Sequence, residues 1–346
     1  MSNNTKRLGE ESIGKLLWSF SAPATVGMIV NAIYNIVDRI FVGQAVNDKA
    51  LAALSFSFPF MTAIMAAAML VGLGGTSLVA ISLGEGDRDK AQRILANVCV
   101  FAGVFEVIVS VLSYIFLKPL LRLFGTPEGL IMDYACEYMN IVLLGSVFQG
   151  IGFSLNSIIR SDGNPKMAMV SMLAGALTNI VFDWLLTMVI RIGVQGAAIA
   201  TVMGQFATMV WVLYYFTKKS NIRLNFKGYK PDFALMSRTM FIGLSPALVQ
   251  LAMATVNIIY NNLLMKYGSD VAVSAFSVYN SAMTIAIMPM FGINQGVQPI
   301  VGYNYYVCGT KSGRTTVRPC PQGNEVRHNL SNSYSSIRLC FYPYVP

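Results

Sequence analysis

The chain has 346 residues, 55% of them hydrophobic and 12% charged, with a net charge of +9 and a mean hydropathy of +0.56. Soluble domains average about 25% charged residues, so this composition excludes an ordinary soluble fold and points to a membrane protein. Nucleic acid does not explain the positive charge, which sits in short loops between apolar runs, and five cysteines with one histidine are too few for a disulfide or metal framework.

In chain order, a polar start (1–15) precedes a first span too long for the apolar core of a cleavable signal peptide. A membrane-crossing helix needs about 20 mostly apolar residues. Eight segments qualify: Leu16–Val42, Ala50–Leu83, Ile94–Leu117, Ile131–Ile159, Met167–Ile190, Val194–Thr217, Leu235–Met265 and Val271–Tyr303. The reading is an all-α membrane protein with six spans (16–217), a basic loop (218–238) and two further spans (239–305). Residues 306–346 form a basic, cysteine-containing tail with no apolar run of spanning length.

The segment Leu244–Tyr305 repeats the plan of Ala22–Leu83. Pro246 answers Pro23. Ser277, Met283, Thr284, Gly296 and Val301 follow Ser55, Met61, Thr62, Gly74 and Val79 at one constant offset. Six spans separate the copies, an even number, so the copies are expected to lie parallel in the membrane, a known transporter plan. The Lys and Arg residues concentrate on one set of loops: Lys6, Arg7, Lys15; Arg88, Lys90, Arg93; Arg160, Lys166; and the run from Lys218 to Arg238. By the positive-inside rule the N-terminus is expected to be cytoplasmic, and the basic loop also suits anionic headgroups.

Acids inside spans are costly and face polar cavities or partners. Asp38, Glu106 and Asp183 qualify. Asn31, Tyr34 and Asp38 share one face of the first helix, and Asn179 and Asp183 share one face of the fifth. Two polar faces that need shelter from lipid are expected to face each other and to form a proton or cation site. The competing reading for Asp38 is an interfacial acid paired with Arg39, and Glu106 reads as a packing residue. Pro23, Pro59, Pro246, Pro289 and Pro299 lie inside spans, where each removes a helix hydrogen bond. The matched Pro23 and Pro246 are hinge candidates. No catalytic Ser-His-Asp, Cys-His or metal-ligand set lies in the spans, which excludes most membrane enzymes.

Several segments together resemble the multidrug and toxic compound extrusion (MATE) transporters. These are Val37 to Gly43, Gly74 to Ala91 (GGTSLVAISLGEGDRDKA), Arg160 to Met169 (RSDGNPKMAM), Asn179 with Asp183, Gly196 to Gln205 (GAAIATVMGQ) and Gly296 to Tyr305 (GVQPIVGYNY). The resemblance covers about residues 10–305. It implies two six-helix bundles around a cleft and alternating access, with 16–217 a complete six-helix bundle and 239–305 the first two helices of a second. It also implies export of small cationic or amphipathic drugs in exchange for H+ or Na+, without a cofactor, by a monomer in the plasma membrane. The implied cation site is Asp38, Asn179, Asp183 and Thr201, which could take Na+ in place of a proton. Asn31, Tyr34 and Asn156 would line the same chamber, and the helix containing Pro23 would bend. Past Tyr305 the chain departs from the family pattern. A frameshifted or truncated end with impaired transport is one expectation, and a natural soluble tail is the other. Two further functions are open: a flippase for lipid-linked saccharides from a related superfamily, and a non-transporting membrane protein such as a pseudogene product or an interaction partner. The acids in the spans favour cationic cargo over a phosphate-bearing one.

Overall fold

The computed structural model describes residues 8, 11–226, 230–267 and 270–309. Among these the chain is helical throughout. In chain order the helices are α1 (Ile13–Ala45), α2 (Asp48–Glu85), α3 (Arg88–Ile115), the short α4 (Leu117–Leu123), α5 (Leu130–Ser161), α6 (Pro165–Asp183), α7 (Val194–Tyr214), α8 (Phe233–Tyr267) and α9 (Asp270–Gly309). Two π-helical turns, Trp184–Val189 and Tyr215–Lys219, extend α6 and α7. Among the described residues seven helices are long and apolar enough to cross a membrane: α1, α2, α3, α5, α8, and α6 and α7 with their π turns. The eighth predicted span folds as α9. Most of the tail, residues 310–346, lies outside the described residues.

Helix boundaries follow local chemistry. Asn47 caps α2 by accepting from the Ala50 amide at 2.9 Å, and Asp87 caps α3 by accepting from Lys90 at 2.9 Å. Each satisfies an amide that a helix start leaves without a partner. Gly86, at φ +81°, turns the chain out of α2 in the left-handed region open to glycine. Pro165 starts α6, where its missing amide costs nothing. Pro23, Pro59, Pro246, Pro289 and Pro299 all sit inside continuous helices.

In the first bundle α1 packs on α6, α6 on α7, α7 on α5 and α5 on α2, while α3 covers α2 and α5 from outside. The outer face of α3 (Val104, Ile108, Val111, Leu112) is exposed, as a lipid-facing surface should be. Apolar packing forms two clusters. One, around Leu95, Ile158, Ile159, Tyr215 and Phe216, lies where α5 ends. The other, around Phe60, Leu121, Met139 and Val142, lies toward the opposite end. Helix α8 lies antiparallel along α2. Helix α9 packs against α1 and α2, with Gln298 Nε2 donating to the Leu73 carbonyl and to Ser77 Oγ, both at 3.0 Å.

Candidate functional site

Four of the sequence-predicted residues converge between α1, α6 and α7. Asp38, Asn179, Asp183 and Thr201 are between 0 and 7% exposed. The carboxyl groups of Asp38 and Asp183 lie within hydrogen-bonding reach of one another. Thr187 donates to Asp183 Oδ1 at 2.8 Å. Asp38 Oδ1, Asp183 Oδ2 and both amide atoms of Asn179 are buried with no hydrogen-bond partner among the described residues. Buried polar atoms normally find partners, so this group of oxygens offers unfilled coordination to a proton or a small hard cation.

Local structure explains the convergence. Gly175 and Gly204 face each other across α6 and α7: a Cβ built on Gly204 would lie 2.8 Å from the Gly175 carbonyl oxygen and 2.9 Å from Asn179 Cβ. Only a residue without a side chain allows this approach, which carries Thr201 on α7 toward Asn179 and Asp183. The helix turns π-helical right after Asp183. π turns often occur at functional sites. This one places Thr187 against the Asp183 carboxylate.

The other predicted residues divide. Tyr34 lies within electrostatic reach of Asp38 and hydrogen-bonds Asn35, and Asn35 Nδ2 donates to the Asn31 carbonyl at 2.8 Å. Asn31 and Tyr34 therefore belong to the same polar strip of α1. Asn156 does not join them. Its Nδ2 donates to the Ala168 carbonyl at 2.8 Å and to Ser171 Oγ, tying α5 to the first turns of α6. Twelve residues separate Ser171 from Asp183, roughly 18 Å along a helix. Arg39 places its guanidinium 5.3 Å from the centre of the Phe58 ring. Glu106 is buried against Gly150 of α5, with neither carboxyl oxygen hydrogen-bonded among the described residues.

Three neighbours escaped the sequence reading. Thr187 continues the stripe Asn179, Asp183 at four-residue spacing and was legible on that ground. Asn35 follows Asn31 at the same spacing. Tyr138 of α5, which hydrogen-bonds Thr201 and lies near Asp38 and Asp183, had no signal in the linear sequence. Among the described residues no group of three or more His, Cys, Asp or Glu forms a metal site.

The MatE family profile matches residues 23–185 and 246–306. The chain belongs to the MatE family. It is 26% identical over 297 residues to the multidrug export protein MepA of Staphylococcus haemolyticus (strain JCSC1435). It is 25% identical over 293 residues to the MepA of Staphylococcus aureus (strain NCTC 8325 / PS 47). These alignments cover 86% and 84% of this chain but 65% and 64% of the two relatives, so the chain spans slightly less than two thirds of their length. The solved MATE multidrug transporter DinF-BH superposes with a TM-score of 0.81 at 36% identity, over 88% of this chain and 68% of that one. As a MatE member the chain is a multi-pass membrane protein of the plasma membrane. The two profile segments cover all but the first one or two residues of the two copies of the repeat, and the first contains Asp38, Asn179 and Asp183.

Proposed function

We infer that this chain carries the cation-coupled half of a drug exporter, moving cationic or amphipathic compounds by alternating access in exchange for H+ or Na+. The observation that carries the reading is the buried meeting of Asp38 and Asp183 beside Asn179 and Thr201, with Asp38 Oδ1 and Asp183 Oδ2 lacking hydrogen-bond partners among the described residues. An ionised carboxylate only accepts hydrogen bonds, so two carboxyl groups in reach of each other are stable when a proton or a cation lies between them. All the donors are hard oxygens, which suits H+ or Na+ and not a soft metal. The cation and the drug would favour different conformations, and coupling follows from their differential affinities for the two states. Asn31, Tyr34 and Asn35 extend the polar strip from the acids along α1, and Pro23 supplies a bending point in the same helix.

The test is efflux from vesicles containing the chain, driven by an imposed H+ or Na+ gradient, with a fluorescent organic cation as the reporter. Asp183→Asn removes one of the two charges while keeping its shape. It is expected to abolish gradient-driven efflux, and gradient-dependent efflux surviving in that variant overturns the assignment.

A further inference from the structure

The helices that carry the two copies of the repeat meet through backbone. A Cβ built on Gly74 of α2 would overlap the Thr239 carbonyl oxygen of α8, and one on Gly243 of α8 would overlap the Leu70 carbonyl oxygen of α2. A second seam joins α9 to α1. A Cβ on Gly292 would lie 2.5 Å from the Cα of Thr25, and one on Gly296 would lie 2.8 Å from the Cα of Ser21. Real Cβ atoms do not come within 3.0 Å of such atoms, so these helices can stay where they are only while the four positions carry no side chain.

The seams are related by the repeat. Gly296 stands in the second copy where Gly74 stands in the first, and at the same offset Gly243, one residue before the second copy, answers Ser21, one residue before the first, with Pro246 set one residue later than Pro23. The contact of Gly74 with the Gly243 turn of α8 is therefore answered by the contact of Gly296 with Ser21 of α1. Such reciprocity, in which residue i meets j and j's counterpart meets i's, characterises a two-fold contact. Between the seams, Gln298 Nε2 binds the Leu73 carbonyl and Ser77 Oγ at 3.0 Å. Asn304 Nδ2 binds the Leu8 carbonyl at 3.1 Å. All these contacts lie where α1 and α8 begin and α2 and α9 end. Farther along α8 the side chains of Leu248, Val249, Val256 and Ile259 are more than half exposed.

We propose that the paired glycine seams are the gate that shuts the transport path on the side of the basic loops, with Gln298 as its latch. The proposal rests on the alternating-access reading above. Backbone packing gives the gate two discrete states. The helices are either in register and in contact or apart, because any intermediate spacing forfeits the dispersion contacts without admitting water. Both seams share α2 and α9 through Gln298, so they open together. Gly74 and Gly296 set how closely the gate shuts, without touching drug or cation.

The experiment uses Ser77→Cys with Gln298→Cys on a background lacking the five native cysteines, in native membranes, with a short bifunctional thiol reagent. Efficient cross-linking is expected. Adding Gly74→Val, or separately Gly296→Val, should lower the yield at least about tenfold, the scale of an overpacked contact. Each should also raise labelling of Ser77→Cys alone by a membrane-impermeant thiol reagent. Gly14→Val is the control, since a Cβ there meets nothing within 4 Å, and its yield should equal that of the parent. Gly74→Ala serves in the same way if the valine variant does not accumulate. Absence of the parent cross-link, or yields unchanged by both glycine substitutions, overturns the proposal. Cross-linking needs no transport, so an inactive chain whose cross-link responds as described refutes the exporter reading and with it the gate, leaving only the glycine-dependent seam, whereas an active chain whose cross-link does not respond refutes the gate alone.

Discussion

Asp162, in the loop joining α5 to α6, has a fully buried carboxylate. Tyr215 Oη and Ser220 Oγ each donate to its Oδ2 at 2.7 Å, and the amide and side chain of Asn221 approach at 3.4 and 3.5 Å. Burial raises its pKa above the usual 3.8, outweighing the donors, which lower it. The unfolded chain therefore loses this proton first, and the folded chain binds more protons between the ordinary and the raised value. Stability must fall as pH climbs through that window. Asp162→Asn keeps an acceptor for Tyr215 and Ser220 but not the charge, so its melting temperature in detergent should be flat over the window where the parent's declines. A parent curve with no such decline would show that the donors dominate. Asp162→Ala leaves the buried Tyr215 hydroxyl without its acceptor, while Ser220 keeps the Ile222 carbonyl at 2.8 Å, and should cost about 2 kcal/mol, read as a lowered melting temperature at any pH. The residue was visible in the sequence only as part of a family-like segment. Its role depends on Tyr215, Ser220 and Asn221, which are more than fifty residues away and give no local sign of meeting it.

At the scale of helices, the packing of α6 on α7 decides whether the acids have neighbours at all. Gly204→Val would push a side chain into Asn179 Cβ and the Gly175 carbonyl. The expected loss is about 1–3 kcal/mol of packing. More diagnostic is at least about tenfold weaker Na+ or H+ response, because Thr201 and Asn179 separate while both carboxyl groups remain. A Gly204→Val variant with unchanged cation response would show that the two acids suffice alone. The length of each apolar run placed all the long helices, since that property is local. They did not reveal α4, whose seven residues are too short to register. The π turns at Trp184 and Tyr215 were equally hidden, because no residue type encodes the extra residue in a turn and packing against neighbouring helices selects it. The face shared by Asn179 and Asp183 was readable for the opposite reason: four-residue spacing on a helix is fixed by the backbone alone.

For the whole molecule, orientation is the open quantity that charge predicts. Arg223→Cys, in the basic loop after α7, should react with an impermeant thiol reagent in inside-out vesicles and resist it in intact cells. Lys118→Cys, at the start of α4, should show the reverse. Labelling of both from one side would overturn the predicted topology. The same molecule-wide view explains why Asn156 and Asp38, equally polar and both buried, meet different neighbours. One lies in the packed joint of α5 and α6, and the other lies where α1, α6 and α7 converge.

Composition alone excluded a soluble fold, because an apolar excess of this size cannot be buried inside a chain of this length. Spacing alone set the polar faces of α1 and α6, and the internal repeat implied two parallel copies. Tertiary structure decided which faces meet: Asp38 with Asp183, Tyr138 with Thr201, and Gly74 and Gly296 with the backbones of the other copy. The physical reason is range. Helical periodicity acts over a few residues, whereas the contacts of Asp38 with Asp183 and of Gly74 with α8 join segments far apart in the chain, and only the packing of the whole bundle brings those together.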